Sequence, residues 1–490
     1  MTAIKRLTLA QYVICLFLLA FVAVANASGT NHSGTTSYYL DDPVFGGQSY
    51  IVEAGRSNKE LVVLVHGLGD VASDTWAEII PQLARDYHVL SFDLPGFGRS
   101  SKSNQLYSPD NYVAFINYVV KQSGHDQFML IGHSLGGNLA LRYASIYPDK
   151  VKRLMLIDAA GILHRITYGT FFTHFGIKLV PEFYPQQESD IRSIAGALLE
   201  ELARRHNLLE SGEKAILNEP MLRQKILAGN PSTIAAYSMI MEDYSSVLSS
   251  MKVPTLVMWG KEDKVIPLRT GKVLATNLQN SGLIVLNNTG HIPMTDKPLI
   301  FSNWLRRFVS SDEKTFQDIL KQKRYRIDLN QPNTSQRIGS CKDSSGKTFR
   351  GDYRLITIDN CKNVEIESAR INNLTIRDSQ VVLNNCLIKS PGKAFLVEDS
   401  DVQINGCTIS GSPAIEFKKS SLDIAGSLIT STGAALKNAD TAVPIQSSNT
   451  GPFGNSQNET TLIFSVSFLK SKYYDKKLHG PVNFKPEQAW

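Results

Sequence analysis

The chain has 490 residues, room for two or three domains at roughly 100–200 residues each. Hydrophobic residues make up 42% and charged residues 20%, which excludes wholesale disorder and a fibrous chain. Lys plus Arg number 51 against 45 Asp plus Glu, and an excess of +6 spread over this length leaves no electrostatic footprint for nucleic acid.

The first 27 residues read as a targeting segment. Lys5 and Arg6 give a basic start, Tyr12 to Ala25 is an apolar run, and Ala25-Asn26-Ala27 has the small-x-small form that a signal peptidase cuts. The expectation is an exported protein, periplasmic or secreted, with residues 1–27 removed and the net charge falling from +6 to +4 as Lys5 and Arg6 leave. The alternative is an anchor over residues 7–25, a stretch just longer than the ~17 residues needed to span a bilayer. Cys15 leaves with the signal. Cys341, Cys361, Cys386 and Cys407 remain, an even number that permits disulfides in an exported chain without demanding them. Residues 28–310 contain no cysteine, so chemistry there is not thiol chemistry.

From about Tyr38 to Phe308, short β-branched runs alternate with helical patterns. Leu61–Val65 is a continuous apolar run, as a buried parallel strand requires, and Val89–Phe92, Phe128–Ile131, Leu154–Ile157, Thr255–Met258 and Leu283–Leu286 repeat the theme. Helical stretches such as Asp110–Gln122 and Asn138–Tyr147 lie between them, which predicts an α/β fold with helices on both faces of a parallel sheet over residues 38–310. Residues 162–250 interrupt the rhythm without a convincing strand. Asp190–Arg205 and Thr233–Ser249 read as amphipathic helices, so this insertion is a helical cap over the sheet. Residues 311–335 read as a helix and a linker.

After the linker the composition changes. Residues 336–445 are rich in Ser, Asn, Asp and Ile and carry an internal repeat, leaving 446–490 as a C-terminal tail. Val364, Val381, Val402 and Leu422 begin successive units spaced 17, 21 and 20 residues apart. Ile366, Leu383, Ile404 and Ile424 follow two residues on, and Ile371, Ile388, Ile409 and Ile429 seven residues on. The apolar phase switches within each unit, and a corner at Asn385, Gly406 and Gly426 explains the switch. Short strands with corners every ~20 residues suit a parallel β-helix, in which each coil buries its interior against the next. An irregular β-sandwich is the alternative. The segment resembles the right-handed β-helix of pectate-lyase-like proteins, on pattern alone. Cys386 and Cys407 fall in one inward column with Ala369 and Ser427. In-register neighbours there hold their Cβ atoms farther apart than a disulfide's usual ~3.8 Å, so this pair is expected to stay reduced.

The chemistry sits in the first unit. Gly132-His133-Ser134-Leu135-Gly136 follows one strand and precedes a helix, so the glycines permit a sharp turn that exposes Ser134 at the helix start. His66-Gly67-Leu68-Gly69 and Asp93-Leu94-Pro95-Gly96-Phe97-Gly98-Arg99-Ser100 follow the two earlier strands. Gly260-Lys261-Glu262-Asp263 and Gly290-His291-Ile292-Pro293 follow the two last. The order Ser134, Asp263, His291 is that of α/β-hydrolases, and residues 40–310 resemble that superfamily in its capped form, related to lipases, esterases and C–C bond hydrolases. The resemblance implies Ser134 as nucleophile, His291 as base, Asp263 as the acid that orients the imidazole, and the backbone N–H groups of Leu68 and Leu135 as oxyanion donors.

Asp158 also follows a sheet strand and is the alternative acid; Glu262 is a weaker one. His66 and His133 are expected to pack and orient loops, and Asp93 and Arg99 to shape a turn. His164, His174 and His206 lie in or near the cap and read as surface residues. No metal-ligand spacing and no dinucleotide fingerprint appears, so neither metal nor cofactor is implied. Haloalkane dehalogenases and epoxide hydrolases of this fold carry Asp where this chain has Ser134. C–C bond hydrolases use Ser, but their cytosolic substrates conflict with the export signal.

The resulting expectation is a serine esterase or lipase acting on a small-molecule or lipid ester. The aromatic cap stretch Tyr168–Phe175 would line an apolar entrance or pack the cap's own core. A membrane enters only through an uncleaved signal or the substrate. In the alternative, the β-helix holds a polysaccharide or cell-envelope ligand from which the esterase removes acyl groups.

Overall fold

The computed structural model describes residues 34–102, 106–163, 231–240, 242–439, 461–472 and 475–481. The targeting segment, the expected helix over Asp190–Arg205, the aromatic stretch 168–175, and His164, His174 and His206 lie outside these residues. Among the described residues no helix is long and apolar enough to cross a membrane.

Eight strands form the first sheet: β1 (Thr35–Asp41), β2 (Gln48–Ala54), β3 (Leu61–Val65), β4 (His88–Phe92), β5 (Phe128–His133), β6 (Val151–Ile157), β7 (Thr255–Gly260) and β8 (Ser281–Leu286). Their order is β1-β2-β4-β3-β5-β6-β7-β8, parallel from β4 to β8, with β1 and β2 added antiparallel at one edge. The continuous apolar runs have a direct cause. Val63, Leu130, Leu156 and Val257 point into one core, while their neighbours Val62, Met129, Met155 and Leu256 point into a second core on the other face.

Seven helices matter for the site: α1 (Pro109–Gln122), α2 (Leu135–Ile146), α3 (Pro231–Ile240), α4 (Ser245–Ser250), α5 (Leu268–Asn277), α6 (Pro298–Ser310) and α7 (Glu313–Gln322). Ser108 caps α1 by accepting the Asn111 N–H at 3.3 Å, and Pro109 occupies the first helical position, where its missing N–H costs nothing.

Two expectations change here. The helix expected over Thr233–Ser249 is split into α3 and α4, because Asp243 Oδ1 accepts the Ser245 N–H at 2.8 Å and starts a new turn. Buried Tyr244 pins the break to α2 through a 2.7 Å bond to Asn138 Oδ1. The helix expected after residue 310 is α7, but its Phe316, Ile319 and Leu320 are buried in the second core and so belong to the first unit. The Lys323 carbonyl then accepts the Leu283 N–H at 2.8 Å, so the α/β unit continues past residue 310.

Within 338–439, 461–472 and 475–481 the described residues form an all-β region of mostly parallel strands. Val364, Val381, Val402, Leu422 and Leu462 stack along one ladder. Ile371, Ile388, Ile409, Ile429 and Leu469 follow a second, and Leu374, Phe395, Ile415 and Leu436 a third. The corner residues Asn385, Gly406 and Gly426 have φ of 53°, 59° and 58°, the left-handed turn that switches the apolar phase. Part of the expected tail belongs to this region: Thr461–Lys470 pairs in parallel with Ser421–Ala425 and Leu428–Thr430, and Asp475–Pro481 folds back on it.

Cys386 and Cys407 are buried free thiols, and the Cys386 N–H donates to Cys407 Sγ at 3.3 Å. Cys341 and Cys361 form a disulfide with Cα atoms 6.5 Å apart. Cys341 sits opposite Ile358, so the bridge runs diagonally across two strands.

The two units are packed together. Lys272 of α5 meets Glu367 at 2.9 Å, and Asn277 Nδ2 donates to the Gly426 carbonyl at 2.9 Å. A Cβ at Gly406 would lie 2.2 Å from Thr276 Oγ1, so this glycine serves both its corner and the close approach of α5. Burial alone would raise the Glu367 carboxyl, but Lys272, Tyr325 and Arg350 hold it below its ordinary value.

Candidate active site

Ser134 stands between β5 and α2 at φ 53°, ψ −117°, a strained conformation for a residue with a side chain. The strain is held from both sides: Ser134 N–H donates to the Ile157 carbonyl at 2.9 Å, and the Ser134 carbonyl accepts the Ala160 N–H at 3.1 Å. Close packing explains the flanking glycines. A Cβ on Gly132 would lie 2.1 Å from the Gly136 carbonyl oxygen, and one on Gly136 2.2 Å from that of Val65.

Three loops at the carboxyl ends of the strands meet at this turn. His291, after β8, brings Nε2 to 3.0 Å from Ser134 Oγ and Nδ1 to 2.8 Å from Asp263 Oδ2. Asp263, after β7, is fixed by its other oxygen, which accepts the N–H groups of Val265 at 2.8 Å and Ile266 at 2.9 Å. Its side chain is wholly buried, whereas that of His291 keeps 16% of its exposure, as a group that must meet a substrate requires. With the carboxylate fixing the proton on Nδ1, Nε2 is the nitrogen free to accept from the serine hydroxyl.

The surrounding residues hold this geometry. His133 Nε2 donates to the His291 carbonyl at 2.7 Å and so fixes the backbone of the histidine loop. Burial, with the neighbouring His291, pushes the His133 imidazole down to about 3, leaving it neutral. His66 accepts the Leu94 N–H on Nε2 at 2.8 Å and donates from Nδ1 to the Gly67 carbonyl at 2.6 Å, tying the loops after β3 and β4 together. Burial pushes it down to about 4. Burial would raise Asp93, but bonds from Arg99 and Ser73 hold its carboxyl below the ordinary value.

Glu262 does not reach the imidazole. Its Oε2 accepts the Thr289 N–H at 3.1 Å, joining the acid loop to the histidine loop. Leu135 opens α2, where a first-turn N–H has no partner inside the helix. Leu68 follows Gly67, on which a Cβ would stand 3.0 Å from that of Ser134, so this loop passes directly against the serine. α3 packs beside the loops after β4 and β6, with Met239 against Gly161 and Ser238 Oγ donating to the Tyr107 carbonyl at 2.7 Å.

Asp158, after β6, is fully buried, and its Oδ1 accepts the Gly260 N–H at 2.9 Å. Among the described residues, Asp158, Asp263 and His291 bring ligand-type atoms within 4.8 Å of one another. Both ring nitrogens of His291 are engaged by Asp263 and Ser134, which leaves this group no imidazole lone pair for a cation.

Residues 60–298 match the family described as alpha/beta hydrolase fold. An uncharacterized hydrolase, YugF, of Bacillus subtilis is 25% identical over 271 residues, 54% of this chain and 96% of that protein. A 2-hydroxy-6-oxononadienedioate/2-hydroxy-6-oxononatrienedioate hydrolase of Klebsiella pneumoniae is 29% identical over 238 residues, 48% of this chain and 81% of its own. A 2-hydroxy-6-oxo-6-(2'-aminophenyl)hexa-2,4-dienoic acid hydrolase of Metapseudomonas resinovorans is 25% identical over 276 residues, 54% of this chain and 88% of its own. Residues 60–298 have the alpha/beta hydrolase fold.

Proposed function

We propose that the protein is an exported serine hydrolase that cleaves carboxylic esters through an acyl-enzyme formed on Ser134. The observation that carries this reading is the continuous relay Ser134 Oγ to His291 Nε2 at 3.0 Å and His291 Nδ1 to Asp263 Oδ2 at 2.8 Å. As Oγ attacks the carbonyl, its proton passes to Nε2, and Asp263 stabilises the imidazolium that results. The oxyanion is received by the N–H groups of Leu68 and Leu135. The imidazolium protonates the departing alcohol, and a water activated by the same nitrogen then releases the acid.

Export is supported by the basic start, apolar run and small-x-small end of residues 1–27, and by the Cys341–Cys361 disulfide, a bond kept in oxidising compartments. The stacked ladders support coils of a β-helix. One of its faces is taken by α5, so an extended envelope ligand would use the face of Thr375, Leu396, Glu416 and Lys437.

The named relatives favour a second reading, hydrolysis of a C–C bond in a 2-hydroxy-6-oxo dienoate. A panel of short esters, triglycerides, phospholipids, acetylated glycans and one such dienoate, given to the purified full chain, separates the two. Ester turnover exceeding dienoate turnover is expected; the reverse order moves the assignment to C–C hydrolysis.

A further inference from the structure

Two carboxyl groups share the space behind His291. Asp158 is 0% exposed and the Asp263 side chain is also closed to solvent. One oxygen of each lies within 4.8 Å of the other and of a His291 ring nitrogen. Among the described residues no lysine or arginine forms an ion pair with either. The other titratable neighbours do not offset a second charge. Asp296 is a further carboxyl, bonded through Oδ2 to the Gly290 N–H at 2.6 Å, and His133, with its ring 5.0 Å from that of His291, is neutral. Two adjacent buried carboxylates without a cation do not both ionise.

The hydrogen bonds decide which one keeps the proton. Asp263 accepts three: from Val265, Ile266 and His291. Asp158 accepts one, from Gly260, and its Oδ2 is buried with no partner. An Asp158 oxygen lies within 4.8 Å of an Asp263 oxygen, and two carboxyl oxygens bond only when one carries a proton.

We propose that Asp158 is a protonated carboxylic acid at neutral pH and donates to the Asp263 carboxylate, acting as a positioning residue behind the histidine–acid pair. Burial, reinforced by the Asp263 charge, pushes the Asp158 carboxyl well above its ordinary value. The arrangement gives the orphan oxygen a role and keeps one net negative charge facing His291. It also adds a fourth donor to Asp263. The assignment of a role rests on the Ser134–His291–Asp263 reading; the protonation state does not.

The test uses the full chain and two readouts. The infrared difference spectrum of wild type minus Asp158→Asn at pH 7 should contain the C=O band of a protonated carboxyl. Absence of that band overturns the proposal whether or not the protein has ester activity. The second readout is the pH dependence of Ser134 inactivation by a fluorophosphonate. Asn can accept from Gly260 and donate to Asp263, so its acid midpoint should stay within about 0.3 pH of wild type and its rate within about threefold. Asp158→Ala cannot donate and should lose about tenfold, the scale of one hydrogen bond to a charged group. An acid midpoint lower by about 1 in Asp158→Asn would mean a negative charge had been removed, and would overturn the proposal. A wild-type protein that shows the infrared band but no labelling defeats the nucleophile assignment and leaves the protonated Asp158 standing.

Discussion

Arg269 and Asp423 meet across the boundary between the α/β unit and the parallel strands, Nη1 to Oδ2 at 2.6 Å and Nη2 to Oδ1 at 3.1 Å. Their side chains are 11% and 16% exposed, so the pair works in a largely desolvated setting. Arg269 lies in α5, which begins at Leu268, just beyond the acid loop that presents Asp263. Trp259 Nε1 donates to the Ile266 carbonyl at 3.1 Å and ties that loop back to β7. The β region is therefore anchored to the helix that follows the acid.

Removing one member of this pair strips a largely desolvated charge of its facing partner. Asp423→Ala is expected to cost roughly 3 kcal/mol in denaturant unfolding of the full chain, and Arg269→Ala a similar amount. The double variant should cost clearly less than the two together, because each single change already breaks the same contact. Additive losses would show that the two residues do not depend on one another.

The Cys341–Cys361 bridge closes a loop with a sequence separation of 20. Replacing both by Ser should lower stability by about 3 kcal/mol, the scale for a loop of this size. Thiol titration of the denatured, unreduced protein after removal of residues 1–27 should find two free sulfhydryls, from Cys386 and Cys407. A count of zero would contradict the reduced inner pair.

His66 and His133 are buried neutral, with imidazoles lowered from the ordinary 6.5 to about 4 and about 3. Between those values and 6.5 the unfolded chain binds more protons than the folded one, so stability rises with pH across the window and is lost as pH falls. Each contributes a loss on the order of 3 kcal/mol by the bottom of the window. Denaturant titrations from pH 7 to pH 4.5 should show a shallower slope in His66→Gln than in wild type, even though the variant starts less stable. An unchanged slope would mean His66 does not titrate on unfolding.

Asp263→Asn should lower turnover by about 10⁴, because the amide no longer stabilises the required imidazole tautomer and imidazolium. Glu262→Gln, which can still accept the Thr289 N–H, should lose less than about tenfold. Rates of a chromogenic ester under saturation distinguish them. Equal losses would place the acid function on the wrong carboxylate.

Much of this was legible in the chain because the signals were local. Six short, mostly apolar runs mark the strands β3 to β8, since burial on both faces removes regular polar alternation. The repeat columns at Val364 and Ile371 reappear as ladders because an in-register stack demands the same residue type at each level. β1 and β2 carry no such signal: β1 is mostly exposed and β2 alternates, so neither has an apolar run. In sequence Thr461–Lys470 reads as tail because residues 440–460 separate it from the repeats and break the ~20-residue period. The roles of His133 and Asp158 depend on partners far away in sequence, at His291 and Asp263, and no spacing rule announces such contacts. The docking of α5 was hidden for the same reason, although Gly406 and Gly426 were already visible as corners.

Covalent capture decides whether Ser134 is the nucleophile of an acyl-enzyme mechanism. The purified full chain is treated with a fluorophosphonate, digested and mapped by mass spectrometry, with Ser134→Ala in parallel. One adduct on Ser134, no adduct in the alanine variant, and a loss of ester turnover on the order of 10⁶ are expected. Labelling at another residue, or an alanine variant that keeps near-normal turnover, would contradict that assignment.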